Sequence, residues 1–300
     1  MGRIFSILKQ SAIVTTASVI FSWQMPSAIA GDPFRNTNPR PISDTTESAF
    51  EAIFRAGNYQ KATRLLDTIN SDADPLFYAL KGSIAYTQKD WKTLKKAANQ
   101  TRIQAKQLGK TDPLRRDLYL AIGHFLEGSY LFEVEGAFSV FDKLQTVLYY
   151  LELAEKHNPN DPELNLIKGY LDLILAVNLP FFQPEHAIAR FETHARPTYL
   201  VNRGLAIAYR DLENYEKAQT AVEKALKATP NNPEIHYLKG QILYKLGEEK
   251  QNIQLVAKAV KHFDSAIARS DQLPDSIRKS YPRERRLAQT LLEELKTAKR

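Results

Sequence analysis

Apolar residues along this chain recur at intervals of three and four, the spacing that gathers side chains on one face of an α-helix. Ala218, Val222 and Ala225 stand at i, i+4 and i+7, with Gln219, Thr220, Glu223 and Lys224 between them. Leu287, Leu291 and Leu295, with Leu292 beside them, draw a second stripe near the end of the chain. Prolines punctuate the pattern. Pro75, Pro162, Pro233 and Pro282 stand at predicted helix starts, and Pro230 closes a helix. Asp44-x-x-Glu47 reads as a capping box at the head of the first helix. The pattern predicts an all-α array from residue 43 to residue 300.

The opening residues follow another logic. Arg3 and Lys9 precede an uncharged, mostly apolar run of 13 residues from Ser11 to Trp23, and Ala28-Ile29-Ala30 follows it. A basic segment, a short apolar core and small residues two apart predict a secretory signal peptide over 1–30, cleaved after Ala30. The run is shorter than the ~20 residues that span a bilayer. The alternative is an uncleaved N-terminal anchor. Residues 31–42 hold three prolines and two asparagines, which predicts a Pro-rich, mobile linker.

Internal similarity organises the rest. Five segments align on a glycine, at Gly82, Gly123, Gly169, Gly204 and Gly240, spaced 41, 46, 35 and 36 residues apart. The unit 198–232 is the most regular. Tyr209 stands near the end of its first helix, Tyr215 in the turn, Ala218, Val222 and Ala225 along the second helix, and Pro230 at the close. Antiparallel helices approach closely only where one side chain is small, which Ala218 provides.

This pattern resembles the tetratricopeptide repeat, whose period is ~34 residues. The resemblance implies a right-handed superhelix of helical hairpins, an α-solenoid. The units would be 43–70, 75–108, 114–158, 162–196, 198–232 and 233–270, with a C-terminal capping helix at 282–299. Other units are less regular. Gly240 to Ala259 is 19 residues, an excess that inserts residues or lengthens helices, and His194 replaces the second small residue of its unit.

Composition narrows the function classes. There is no cysteine, which excludes disulfides, thiolate metal sites and a cysteine nucleophile. Only 12 of 300 residues are glycine, as suits helices. The net charge of +7 falls to about +5 without residues 1–30. The charges are interleaved, as from Glu213 to Lys227, so no nucleic-acid partner is expected.

No motif nominates a catalytic group, a metal site or a cofactor, and the chain is not expected to be an enzyme. Gly109-Lys110-Thr111 lacks the first glycine of a phosphate loop, since Gln104 stands there, and reads as a helix C-cap. His186 and His194 are eight apart with Glu185 and Glu192 nearby, a loose spacing for metal ligands. Glu133 and Glu135 would face apart on a helix.

The resemblance also implies where a partner would lie. Carried over from the family's groove positions, the candidates are Tyr86, His124, Leu166, Tyr170, Arg203, Arg210, Tyr237, Gln241, Tyr244 and Lys245. Tyr and Arg are common binding hot spots. The lysine–asparagine clamp of the chaperone-binding members is absent. Two aromatic insertions, 130–141 and 171–182, offer further apolar contacts at Phe132, Phe138, Phe141, Phe181 and Phe182.

The expected function is an exported scaffold or adaptor that holds a peptide or helix of another exported or membrane protein. The alternative is a carrier of a lipid-like molecule on the aromatic insertions. The chain resembles exported tetratricopeptide proteins of cyanobacteria, which implies periplasm or thylakoid lumen and assembly of envelope or photosynthetic complexes. The basic helix 282–299 would seal the array, with peripheral contact to anionic membrane as its alternative role.

Overall fold

The computed structural model describes residues 31–178 and 183–298. Among them the helices follow one another as hairpins. The pairs are α1 (Asp44–Phe54) with α2 (Tyr59–Leu66), α3 (Pro75–Gln88) with α4 (Trp91–Gln107), and α5 (Pro113–Glu135) with α6 (Phe141–His157). They continue as α7 (Pro162–Asn178) with α8 (Pro184–Thr193), α9 (Thr198–Asp211) with α10 (Tyr215–Ala228), and α11 (Pro233–Glu249) with α12 (Ile253–Ile267). A turn of helix, α13 (Asp275–Arg278), leads to α14 (Tyr281–Ala298). Neighbouring hairpins pack in sequence order, and no strand occurs among the described residues. This is the α-solenoid that the sequence pattern implies.

The first helices of the hairpins start alike. Pro75, Pro113 and Pro233 occupy a first-turn position whose amide would have no partner in the helix. The residue before each, Asp74, Asp112 or Asn232, caps the helix by accepting a backbone N–H. Gly109 lies just past α4 at φ +50°, the expected C-cap role rather than a phosphate loop.

The aligned glycines mark where a large side chain crosses. A methyl on Gly169 would lie 2.6 Å from the Phe191 ring, and one on Gly204 would lie 2.4 Å from it. Phe191 of α8 is therefore keyed between α7 and α9. Gly240 meets Phe263 of α12 in the same way at 2.7 Å. The excess after Gly240 lengthens the hairpin: α11 has 17 residues where α9 has 14.

The cap differs in detail. Ala288, Leu292 and Leu295 of α14 are buried against α12, whereas Leu287, expected in the stripe, is 48% exposed. The buried face is turned by one residue from the expected one.

Residues 31–42 do not behave as the expected mobile linker. Asp32, Phe34 and Ile42 are buried, and Phe34 packs edge-on against Phe50 at 5.2 Å. The segment is a strap across the N-terminal ends of α3, α5 and α7. Those ends carry Asp74, Asp112, Asp161 and Glu163, a row of carboxylates that needs cations. Arg35 pairs with Asp161, and Arg40 reaches Asp112 and Glu163, each at 2.7 Å. Arg115 pairs with Asp74 beneath them, and Tyr119 donates to Glu163 at 2.6 Å. Burial opposes ionisation of Glu163, but the guanidiniums of Arg115, Arg40 and Arg35 outweigh it and hold the carboxyl below its usual range.

The two ends of the array also meet. Asn232 donates to the carbonyls of Phe54 and Arg55 at 3.1 and 3.3 Å. Tyr59 donates to Glu234 at 3.2 Å, and Tyr199 donates to Glu51 at 3.1 Å. Gln60 reaches the Asp271 carbonyl, and Ser276 of α13 reaches the carbonyl of Thr87 in the last turn of α3. The first hairpin thus plugs the concave side against α9 and α11, and the superhelix closes on itself.

One consequence is measurable at the α11–α12 interface. His262 lies with its Nδ1 3.1 Å from that of His236. Burial, then Lys239 and His236, push its pKa down to about 4. The unfolded chain therefore binds a proton that the folded chain refuses as pH falls from about 6.5 to about 4. Stability should fall across that window, and His262→Gln should remove that part of the loss. Denaturant titrations at pH 7, 5.5 and 4.5 on both proteins check it.

Candidate protein-binding site

The ten expected groove positions do not share one open groove. Leu166 is buried at 2% exposure, and with Tyr170 and Arg203 it lines an internal cavity. Tyr170 donates to the Leu200 carbonyl at 2.9 Å, and burial pushes its hydroxyl up to about 12. Arg203 pairs with Glu234 at 2.7 Å. Arg210 bonds Gln241 at 2.9 Å and pairs with Asp211 at 2.7 Å. Gln241 donates to Glu284 of α14 at 3.2 Å. Tyr237 stacks on Tyr281 at 4.0 Å. Tyr244 and Lys245 both turn to Glu248 on their own helix. His124 lies between α4 and α6, stacked on Tyr150 at 5.6 Å. Of the ten, only Tyr86, at 40%, and Lys245 are exposed.

Much of the concave face is occupied by this chain itself. The first hairpin closes one part, and α14 covers the last part through Tyr281 and Glu284. Both depend on contacts between residues far apart in sequence.

The open site lies elsewhere. Helix α5 has 23 residues, against 17 in each of α4 and α6, so its last turns overhang. Gly136, at φ +88°, ends it and lets the chain reverse into a short helical turn at Ala137–Val140. The overhang exposes Phe132 at 51% and Val134 at 46%, and Phe141 at the head of α6 is 58% exposed. The side chain of Phe138, and Phe181 and Phe182, lie outside the described residues.

Between this overhang and α4 runs a shallow cleft of about 610 Å³. Trp91, Tyr130 and Val134 form its apolar part, and Lys92, Lys95, Lys96 and Arg102 its basic part. The three lysines recur at i, i+3 and i+4 on α4, so they share a face. Lys95 sits 5.2 Å over the Tyr130 ring, and Arg102 pairs with Glu127. Lys92, Lys95 and Lys96 are exposed and make no ion pair among the described residues. Tyr86 stands at the edge, 6.0 Å from Trp91 and 3.5 Å from Glu133.

Sequence reasoning placed Phe132, Phe141 and Tyr86 among contact residues but missed Trp91 and the lysines. The lysine spacing was visible. What was not visible is that α5 outruns its neighbours and builds a wall beside it.

Among the described residues no group of three or more His, Asp or Glu is placed to hold a metal ion. His186 and His194 are both exposed. No helix among the described residues is long and apolar enough to cross a membrane.

Comparison with known proteins adds the repeat type. No curated protein and no solved structure gives a match. Residues 203–274 match the model of the tetratricopeptide repeat, a span running from within α9 past the end of α12. The described residues thus form an all-helical solenoid, of which residues 203–274 are similar to the tetratricopeptide repeat, a repeat type that generally mediates contacts between proteins.

Proposed function

We propose that this protein is a non-catalytic, exported adaptor that captures an acidic amphipathic helix of another protein between α4 and the overhang of α5. One observation carries the reading: exposed lysines without an ion pair among the described residues line the same cleft as Trp91, Tyr130 and the exposed Val134. A helix with carboxylates on one side and apolar residues on the other would satisfy both walls. Aromatic side chains are common hot spots, and a basic rim speeds encounter with an acidic partner in a salt-dependent way. The partner would be an exported or membrane protein.

Export rests on residues 1–30, and the address would be periplasm or thylakoid lumen. Gly31 supports cleavage after Ala30. Its backbone nitrogen lies 2.7 Å from the Glu47 carboxylate. Cleavage would make that nitrogen the α-ammonium, turning a hydrogen bond into a charge-assisted one. N-terminal mass analysis of the exported protein should find Gly31 first.

The test is retention of proteins from the exported fraction by the full chain and by Lys92→Glu/Lys96→Glu/Val134→Ser. All three positions are exposed, so melting should shift little. The expected result is a retained protein with an acidic helix, lost from the variant and weakened as salt rises. Equal retention by the variant would exclude this cleft. Retention of nothing by either form would exclude the adaptor reading.

A further inference from the structure

The closed concave side is not solid. The first helices of the hairpins, the plugging hairpin and the strap surround a cavity of about 400 Å³. Phe50, Leu80, Phe125, Leu151, Tyr170 and Leu200 represent its walls, each from a different helix. Nearly all of the wall is carbon.

Its polar side chains are committed elsewhere. Tyr59 donates to Glu234, Tyr119 to Glu163, Tyr170 to the Leu200 carbonyl, and Ser83 to the Ala79 carbonyl. Arg203 pairs with Glu234. A bound molecule with a strong polar group inside would lose water and gain little. A hydrocarbon would gain contact on every side.

Size and access agree. An apolar cavity of ~150 Å³ takes up benzene, so this one has about 2.7 times that capacity. That is on the order of one long hydrocarbon chain. The strap and its arginines seal the N-terminal ends of α3, α5 and α7. Towards their C-terminal ends the lining becomes accessible: Ser83 is exposed, Phe125 half-buried, and Ile174 exposed at 45%. The mouth therefore opens at the end of the solenoid where Phe132 and Val134 project. Helix C-termini there carry negative dipole ends, which disfavour an anionic group at the rim.

We infer that this cavity binds one neutral, largely hydrocarbon molecule, chain inward and polar end at the mouth formed by α3, α5 and α7. This is a small-molecule site, separate from the α4–α5 cleft.

The neutral dye N-phenyl-1-naphthylamine probes it, since its fluorescence rises in apolar surroundings. The full chain should show saturable, one-to-one binding. Ala121→Phe places a ring into the lining, and Ser83→Trp blocks the mouth from an exposed position. Each should weaken dye affinity at least tenfold, with Ser83→Trp keeping the wild-type circular dichroism and melting. Lys92→Glu/Lys96→Glu should bind dye unchanged, which separates this site from the adaptor cleft. Hexadecanol should displace the dye at least tenfold better than palmitate. Absence of saturable binding, or equal binding by folded Ser83→Trp, would overturn the site. Equal displacement by palmitate would overturn the neutral class.

Discussion

Glu163→Ala should destabilise the protein by about 3–5 kcal/mol, the usual consequence of removing one member of a buried ionic cluster. Glu163 is 1% exposed and Arg115 is 3% exposed. Its carboxylate lies 2.7 Å from Arg40 and 3.5 Å from both Arg35 and Arg115. Without it three guanidiniums face one another, and Arg115 Nε already lacks a hydrogen-bond partner. A loss of that size is a large share of the ~5–15 kcal/mol that holds a typical domain together. Arg40→Ala should act in the same direction and more weakly, because Arg35 and Arg115 remain. The double variant should fall short of the sum, since both residues serve one cluster.

The same carboxylate sets an acid limit. Its folded pKa is held below the ordinary glutamate value. The stabilisation it provides is complete above that ordinary value and is lost as pH falls through the folded pKa. Asp74 runs the other way, because burial there outweighs Arg115 and raises its pKa. The net acid response of the strap therefore follows Glu163 at its lower end. Hydrogen exchange at residues 31–42, compared at neutral and acid pH, should show the strap releasing before the hairpins. Unchanged protection in Glu163→Ala would mean that the arginines do not hold it.

Phe191→Ala should lower stability by about 3–5 kcal/mol, the range for deleting a buried aromatic ring. The ring is 1% exposed, lies against Gly169 and Gly204, and meets Tyr170 edge-on at 5.3 Å. Gly204→Ala should also destabilise, by about 1–3 kcal/mol, because the new methyl meets the ring. The two changes should couple. In Phe191→Ala the methyl at position 204 enters space the ring vacated, so the double variant should be more stable than the sum predicts. A denaturant double-mutant cycle measures this. Strict additivity would mean that the ring and the glycine are not in contact.

These two sites differ in how far they could be read in advance. The glycine register was legible because a repeat writes its crossing points at nearly fixed spacing. Gly169, Gly204 and Gly240 stood on that register, and each meets a ring, Phe191 for the first two and Phe263 for the third. The strap was illegible for the opposite reason. Pro33, Pro39 and Pro41 argue locally for a segment without helix, and the segment has only turns and bends. What pins it is Arg35 on Asp161 and Arg40 on Glu163, 126 and 123 residues away. No periodicity encodes such a pair.

The candidate site shows the same division. Tyr237 and Gln241 stand at groove positions by repeat register, yet α14 covers them. Arg203 stood among the groove candidates and meets Glu234 of the next hairpin. Trp91 and Lys96 had no place in the groove pattern, yet they lie in the open cleft.

The sequence by itself determined the helices, their order in hairpins, the small residues where they cross and the tetratricopeptide resemblance of residues 198–270. All of these follow from contacts within about forty residues, which leave a period. Only the tertiary structure decided that the superhelix closes, that a Pro-rich segment is its strap, and that the concave side encloses a cavity. These depend on meetings between α1–α2 and α9–α11, and between a row of helix-capping carboxylates and two distant arginines. Such meetings are set by the accumulated rotation of the stacked hairpins, a quantity that no single repeat carries.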